Sequence, residues 1–69
     1  MEEFLVKEVI KKLVNGEIEN FNQIYFEVNG CYFYVDEIYL LEDGVKFHNN
    51  NYDEEQEYSF DAYIYVEEK

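Results

Sequence analysis

Ser59, Cys31 and His48 are each the sole residue of their type in a 69-residue chain. Nucleophilic catalysis requires a nucleophile, a base and an orienting group within hydrogen-bond reach of one another. His48 ends an apolar run and opens the polar stretch HNNNYDEEQE, where it reads as a solvated turn residue. Cys31 follows a turn on the inward parity of its segment and reads as a small core residue. Carboxylates are plentiful, but a general acid with a raised pKa needs an apolar pocket, for which a domain this small has little room. Asn49, Asn51 and Asp53 have the 1, 3, 5 spacing of a calcium loop. Position six is Glu54 instead of Gly, however, and position twelve is Phe60 instead of Glu. One Cys and one His cannot build a Cys/His zinc site within one chain. The expectation is a non-enzyme with no metal and no cofactor.

Charge separates the chain into two parts. The net charge is −12, and the first sixteen residues contribute none of it: Glu2, Glu3 and Glu8 balance Lys7, Lys11 and Lys12. Fourteen acids face only Lys46 and Lys69 in the remainder, which leaves the whole excess of twelve there. Such a chain is not expected to bind nucleic acid or anionic lipid directly. Crowded carboxylates are expected to titrate high, so that salt and mild acidification stabilise the fold. Aromatic residues make up 20% of the chain, which opposes disorder. Without an apolar run of about 20 residues and with a charged start, MEEFLVKEVIKK, the chain is expected in the cytoplasm, of a host cell if phage encoded. The lone thiol fits a reducing compartment.

These side chains must be positioned by a few short elements. Val6, Val9, Ile10 and Leu13 follow helical spacing, which predicts a helix over Glu2 to Val14 with a left-handed cap at Asn15-Gly16. Phe4 lies off that stripe and is expected to fold back over the helix start. The period then changes to two. Ile24, Phe26 and Val28 precede Asn29-Gly30, the favoured two-residue hairpin turn, and Phe33 and Val35 follow it. Asp36-Glu37 interrupts the alternation, Ile38 and Leu40 continue it in the opposite phase, which predicts a bulge or a bend, and Asp43-Gly44 signals a second hairpin into Val45 and Phe47. After the polar loop, Tyr58 to Val66 alternates as one final strand. The predicted fold is a single α+β domain, residues 1–69, with an N-terminal helix packed on one face of a four-stranded antiparallel β-meander in two layers.

The same alternation assigns an outer face: Tyr25, Glu27, Tyr32, Tyr34, Tyr39, Asp61, Tyr63, Tyr65 and Glu67, with Glu37 and the loop acids Asp53, Glu54, Glu55 and Glu57 beside it. Tyrosine has high strand propensity, which explains two or three of these positions but not six of the eight tyrosines of the chain. Tyrosine also dominates binding hot spots, because it offers large area, few rotors and a hydroxyl. Acids on a rigid sheet imitate the field of a nucleic acid in outline, and tyrosines can replace base stacking. In size, acidity and Tyr/Phe-rich sheet, although in no motif, the chain resembles the small acidic inhibitors of phages and mobile elements. These are the DNA-mimic anti-restriction proteins, the anti-CRISPR proteins and the uracil-DNA glycosylase inhibitors. That likeness implies an inhibitor whose partner is a basic nucleic-acid-handling protein, a nuclease or CRISPR effector. The alternative is a small host α+β subunit, or a homodimer whose sheets stack through the tyrosines.

Overall fold

A computed structural model describes residues 1–67 of the chain. The first element is a strand, β1 (Glu2–Leu5), and the helix α1 is shorter than predicted, Val6–Val14. EEFL carries no strand signal of its own. It is extended because it pairs antiparallel with the last strand, Glu3 opposite Tyr65 and Phe4 opposite Ile64. That pairing places Phe4 against the core, with the Lys12 ammonium 4.9 Å above its ring. Helix α1 has no side-chain N-cap. Instead the N–H groups of Val6 and Lys7 donate to the carbonyls of Ala62 (2.8 Å) and Phe60 (3.1 Å), so a distant turn satisfies donors that a helix start leaves free. At the other end Gly16, at φ 78°, closes a Schellman motif. Glu17 N–H donates to Lys12 O at 2.8 Å, and Gly16 N–H to Leu13 O at 3.2 Å. The chain leaves that cap with Ile18 driven into the core.

The rest of the chain forms two antiparallel sheets, not the single meander expected. A 3₁₀ turn (Phe21–Gln23) leads into β2 (Ile24–Val28), which pairs with β3 (Cys31–Tyr34) across Asn29-Gly30. Both turn residues have positive φ, 51° and 84°, as the sequence signal required. The first sheet has the order β1-β7-β2-β3, with β7 (Tyr63–Val66) inserted between the first two strands. At Asp36 the chain passes into a second sheet, β4-β5-β6, formed by Glu37–Leu40, Gly44–Asn49 and Glu54–Ser59. The Asp36 N–H donates to His48 O (2.8 Å) and its carboxylate accepts from Asn50 N–H (2.8 Å), which fixes the corner. In the β4–β5 hairpin neither Asp43 nor Gly44 has positive φ. Gly44 is required instead by close approach, since a Cβ there would collide with the Tyr58 carbonyl oxygen.

Two boundaries differ from expectation for physical reasons. DEEQE, expected in a loop, is largely β6, an edge strand whose acids guard it against pairing with other chains. Tyr58 to Val66 is broken by the turn at residues 60–62. Because Tyr58, Phe60, Ala62, Ile64 and Val66 all still reach the core, the alternation conceals the break.

One core joins both sheets to the helix. Val6, Val9, Ile24, Phe26, Val45, Phe47, Ile64 and Val66 are all buried, with Val35 and Ile18 between the elements. Leu40, expected inside, is 75% exposed at the end of edge strand β4, and Cys31, also expected inside, is exposed at the hairpin. The buried polar residue among them is Asn49. Its amide donates to Tyr34 O (2.9 Å) and its carbonyl accepts from Tyr52 N–H (2.9 Å), tying the β5–β6 turn to β3. Asn49→Ala leaves both backbone groups without partners and is expected to cost about 2–3 kcal/mol in urea melts. A loss below about 0.5 kcal/mol would mean that water replaces the amide at no cost.

Candidate functional site: the outer face of the first sheet

Register places five of the eight tyrosines on one surface. A row runs across all four strands from Glu3 through Tyr65 and Tyr25 to Tyr34. Three interstrand steps make it about 14 Å long. The neighbouring positions are Leu5 opposite Tyr63 and Glu27 opposite Tyr32. Beyond Tyr25 the central strands part, and the Tyr58 hydroxyl reaches from the second sheet to accept the Glu27 N–H at 3.4 Å. Tyr63 and Tyr32 are 60% and 48% exposed, whereas Tyr25, Tyr34 and Tyr65 are half-buried against one another. The rings of Tyr32 and Tyr65 meet edge to face, centroids 5.1 Å apart and planes at 87°. Glu3, Glu27 and Glu67 complete the face, and no lysine among the described residues stands at any of its positions.

Crowding of oxygens is written into the phenols. The adjoining Tyr32 phenol holds Tyr65 above the ordinary tyrosine value, helped by partial burial and by Glu3 and Glu27. Burial, then the Glu67 carboxylate that it hydrogen-bonds, raises Tyr25. Burial also raises Tyr58. A raised folded-state value means that the unfolded chain releases these protons first. Their contribution is therefore complete below the free-phenol value near 10 and is lost as pH rises through the folded values. Stability is expected to fall above pH ~10, and Tyr32→Phe should bring the Tyr65 phenolate transition to lower pH in an ultraviolet titration. An unmoved transition would mean that the two phenols do not interact.

The other residues assigned to the outer face lie elsewhere. Glu37, Tyr39, Glu55 and Glu57 belong to the second sheet, where Glu37 and Glu55 flank His48 and Tyr39 and Glu57 flank Lys46. The single face expected from parity is therefore two faces. The switch of sheets at Asp36 puts the second set of residues in a different sheet from the first. The second set is also satisfied internally. Lys46 lies 5.3 Å over the Tyr39 ring and 3.4 Å from Glu55. Tyr39 donates to Glu37 at 2.5 Å, and that bond, with help from Asn50, holds the Glu37 carboxyl below the usual carboxylate range. Its contribution is thus present above the ordinary carboxylate value and lost on acidification through the folded one, opposite to the effect expected from crowding. Glu54 pairs opposite Asn49 in β6, and Asp53 sits in the preceding turn at φ 51°. Asp61, in the turn before β7, bridges to Lys7 at 3.1 Å. Tyr34 spends its hydroxyl on the Asn51 amide.

Glu3 and its same-face neighbour Leu5 are the face residues that the sequence reading misses, because it starts the helix at Glu2. Only the opposition of Glu3 to Tyr65 and of Leu5 to Tyr63 reveals them. His48 is likewise not a solvated turn residue. It lies in β5 with its side chain mostly covered, Nε2 3.3 Å from Asp53 Oδ1 and Nδ1 buried without a partner. Its neighbour is thus an acid, and neither Ser59 nor Cys31 is bonded to it. Among the described residues no group of three or more His, Cys, Asp and Glu side chains is placed to hold a metal ion. None of the described helices is long and apolar enough to cross a membrane. No protein-family model, curated protein or solved structure matches the chain.

Proposed function

We propose that this chain is an acidic inhibitor, phage or mobile-element encoded, that blocks a basic nucleic-acid-handling enzyme of the restriction or CRISPR kind through the outer face of its first sheet. One observation carries the reading: five tyrosines and three glutamates share a rigid face on which, among the described residues, no lysine stands. An enzyme channel built for nucleic acid offers the complement, basic walls and planar stacking surfaces. The net charge of −12 steers the encounter, and the tyrosines then anchor it. A homodimer through the same face would bring Glu3, Glu27 and Glu67 of two copies together, which like-charge repulsion opposes.

A tagged pull-down from a host lysate with active restriction and CRISPR systems tests this directly. A nucleic-acid enzyme should be recovered, its activity inhibited by the pure protein, and the pair should dissociate when duplex DNA is added in excess. Recovery of no such enzyme, with a stable homodimer through the tyrosines, would support the structural-subunit reading instead.

A further inference from the structure

The chain holds two of its own lysines by the same device, a ring beneath the ammonium and a carboxylate beside it. Lys46 sits over Tyr39 and beside Glu55, and Lys12 sits over Phe4 (4.9 Å) with Glu17 at 3.8 Å. A third combination of rings and carboxylates has no lysine among the described residues. Tyr32 and Tyr65 meet at 87°, Glu27 stands opposite Tyr32 and Glu3 opposite Tyr65. The T-shaped pair makes a corner in which one wall is a ring face, and both acids lie one strand away. We propose that Tyr32, Tyr65, Glu27 and Glu3 form a receiving site for a guanidinium group, so that this face takes arginine side chains of a partner protein in preference to lysine.

The choice of cation follows from shape. A guanidinium is planar, stacks on a ring and presents a fork of N–H donors that a carboxylate accepts in pairs. An ammonium is a compact, strongly hydrated point charge that gains less from a flat wall. The chain contains no arginine, so the group must come from outside. Glu3 and Glu27, the carboxylates beside the ring pair, supply the negative charge that such a cation would neutralise. This site deepens the inhibitor reading by naming the side chain that the partner supplies.

The test uses the isotope-labelled full chain, titrated by NMR with an oligo-arginine peptide and an oligo-lysine peptide of equal length. Arginine should saturate at about a tenfold lower concentration, with shifts concentrated at Tyr32, Tyr65, Glu27 and Glu3. Glu27→Gln, which keeps shape, and Tyr32→Leu should each weaken arginine binding by about five- to tenfold, while Glu55→Gln on the second sheet leaves it unchanged. The spectrum of each variant reports its fold, and Glu27→Gln carries the test if Tyr32→Leu unfolds. Equal affinity for the two peptides, or shifts centred on Glu54 to Glu57, would overturn the site. If arginine selectivity holds while no nucleic-acid enzyme is captured, the site stands and the inhibitor reading falls. Capture without selectivity does the reverse.

Discussion

Phe26→Ala is expected to unfold the protein or leave it barely folded at room temperature, while Tyr65→Ala leaves it folded. Phe26 is fully buried and packs 5.9 Å from the Phe33 ring, at the centre of the one core the chain has. Truncating such a ring costs about 3–5 kcal/mol. A domain of this size has only about 3–10 kcal/mol of total stability to lose. Phe47→Ala and Ile64→Ala should behave alike, because both are fully buried in the same cluster. Tyr65 keeps one side open to water and loses chiefly its contacts with Tyr32 and Tyr25, a cost of about 1 kcal/mol. Denaturant melts of the three core variants and Tyr65→Ala decide the matter. Equal losses in a monomer would place the core on the opposite face of the sheet.

The second large effect is on binding. Strands β7 and β2 are central in the first sheet, so the proposed function makes Tyr63 and Tyr65 on β7 the expected anchors, with Tyr34 on edge strand β3 already engaged by Asn51. Hot-spot truncations at an interface centre cost about 2–3 kcal/mol, or roughly 30- to 150-fold in affinity. Tyr63→Ala and Tyr65→Ala should show that loss as faster dissociation. Glu67→Lys should instead slow association and flatten its dependence on salt. Asp61→Lys should act weakly, since Asp61 lies in the β6–β7 turn bonded to Lys7. Surface plasmon resonance across a salt series separates the two classes. Tyrosine variants that change association alone would contradict the division.

How far the sequence could be read depended on whether a signal was local. Asn29-Gly30 and Gly16 gave their backbone conformations away because positive φ is a property of those residues themselves. Parity along β2 and β7 was equally legible, since burial alternates with period two and Ile24, Phe26, Ile64 and Val66 are all inside. What stayed hidden was relational. Glu2–Leu5 is a strand only because β7 offers it an edge, and nothing in EEFL records that offer. Glu54–Glu57 looks solvated, and is, yet it completes the second sheet along β5. The division into two sheets was the costly omission. The break at Asp36-Glu37 was visible as an interruption, but a bend within one sheet and a passage to another leave the same trace in sequence. Consequently the alternation groups Tyr39, Glu37, Glu55 and Glu57 with tyrosines they do not meet.

The proposed inhibition of a nucleic-acid enzyme by the tyrosine face of the first sheet underlies the losses of affinity expected of Tyr63→Ala and Tyr65→Ala. It is tested most directly by measuring DNA cleavage or base excision by a panel of restriction nucleases, CRISPR nucleases and uracil-DNA glycosylases. Each enzyme is titrated with the native chain and with a folded Tyr63→Ala/Tyr65→Ala double variant. At least one enzyme should be inhibited by the native chain, with potency at least about 30-fold lower for the double variant and unchanged for Glu55→Gln on the second sheet. Inhibition that survives loss of both tyrosines, or no inhibition of any enzyme in the panel, would contradict the claim.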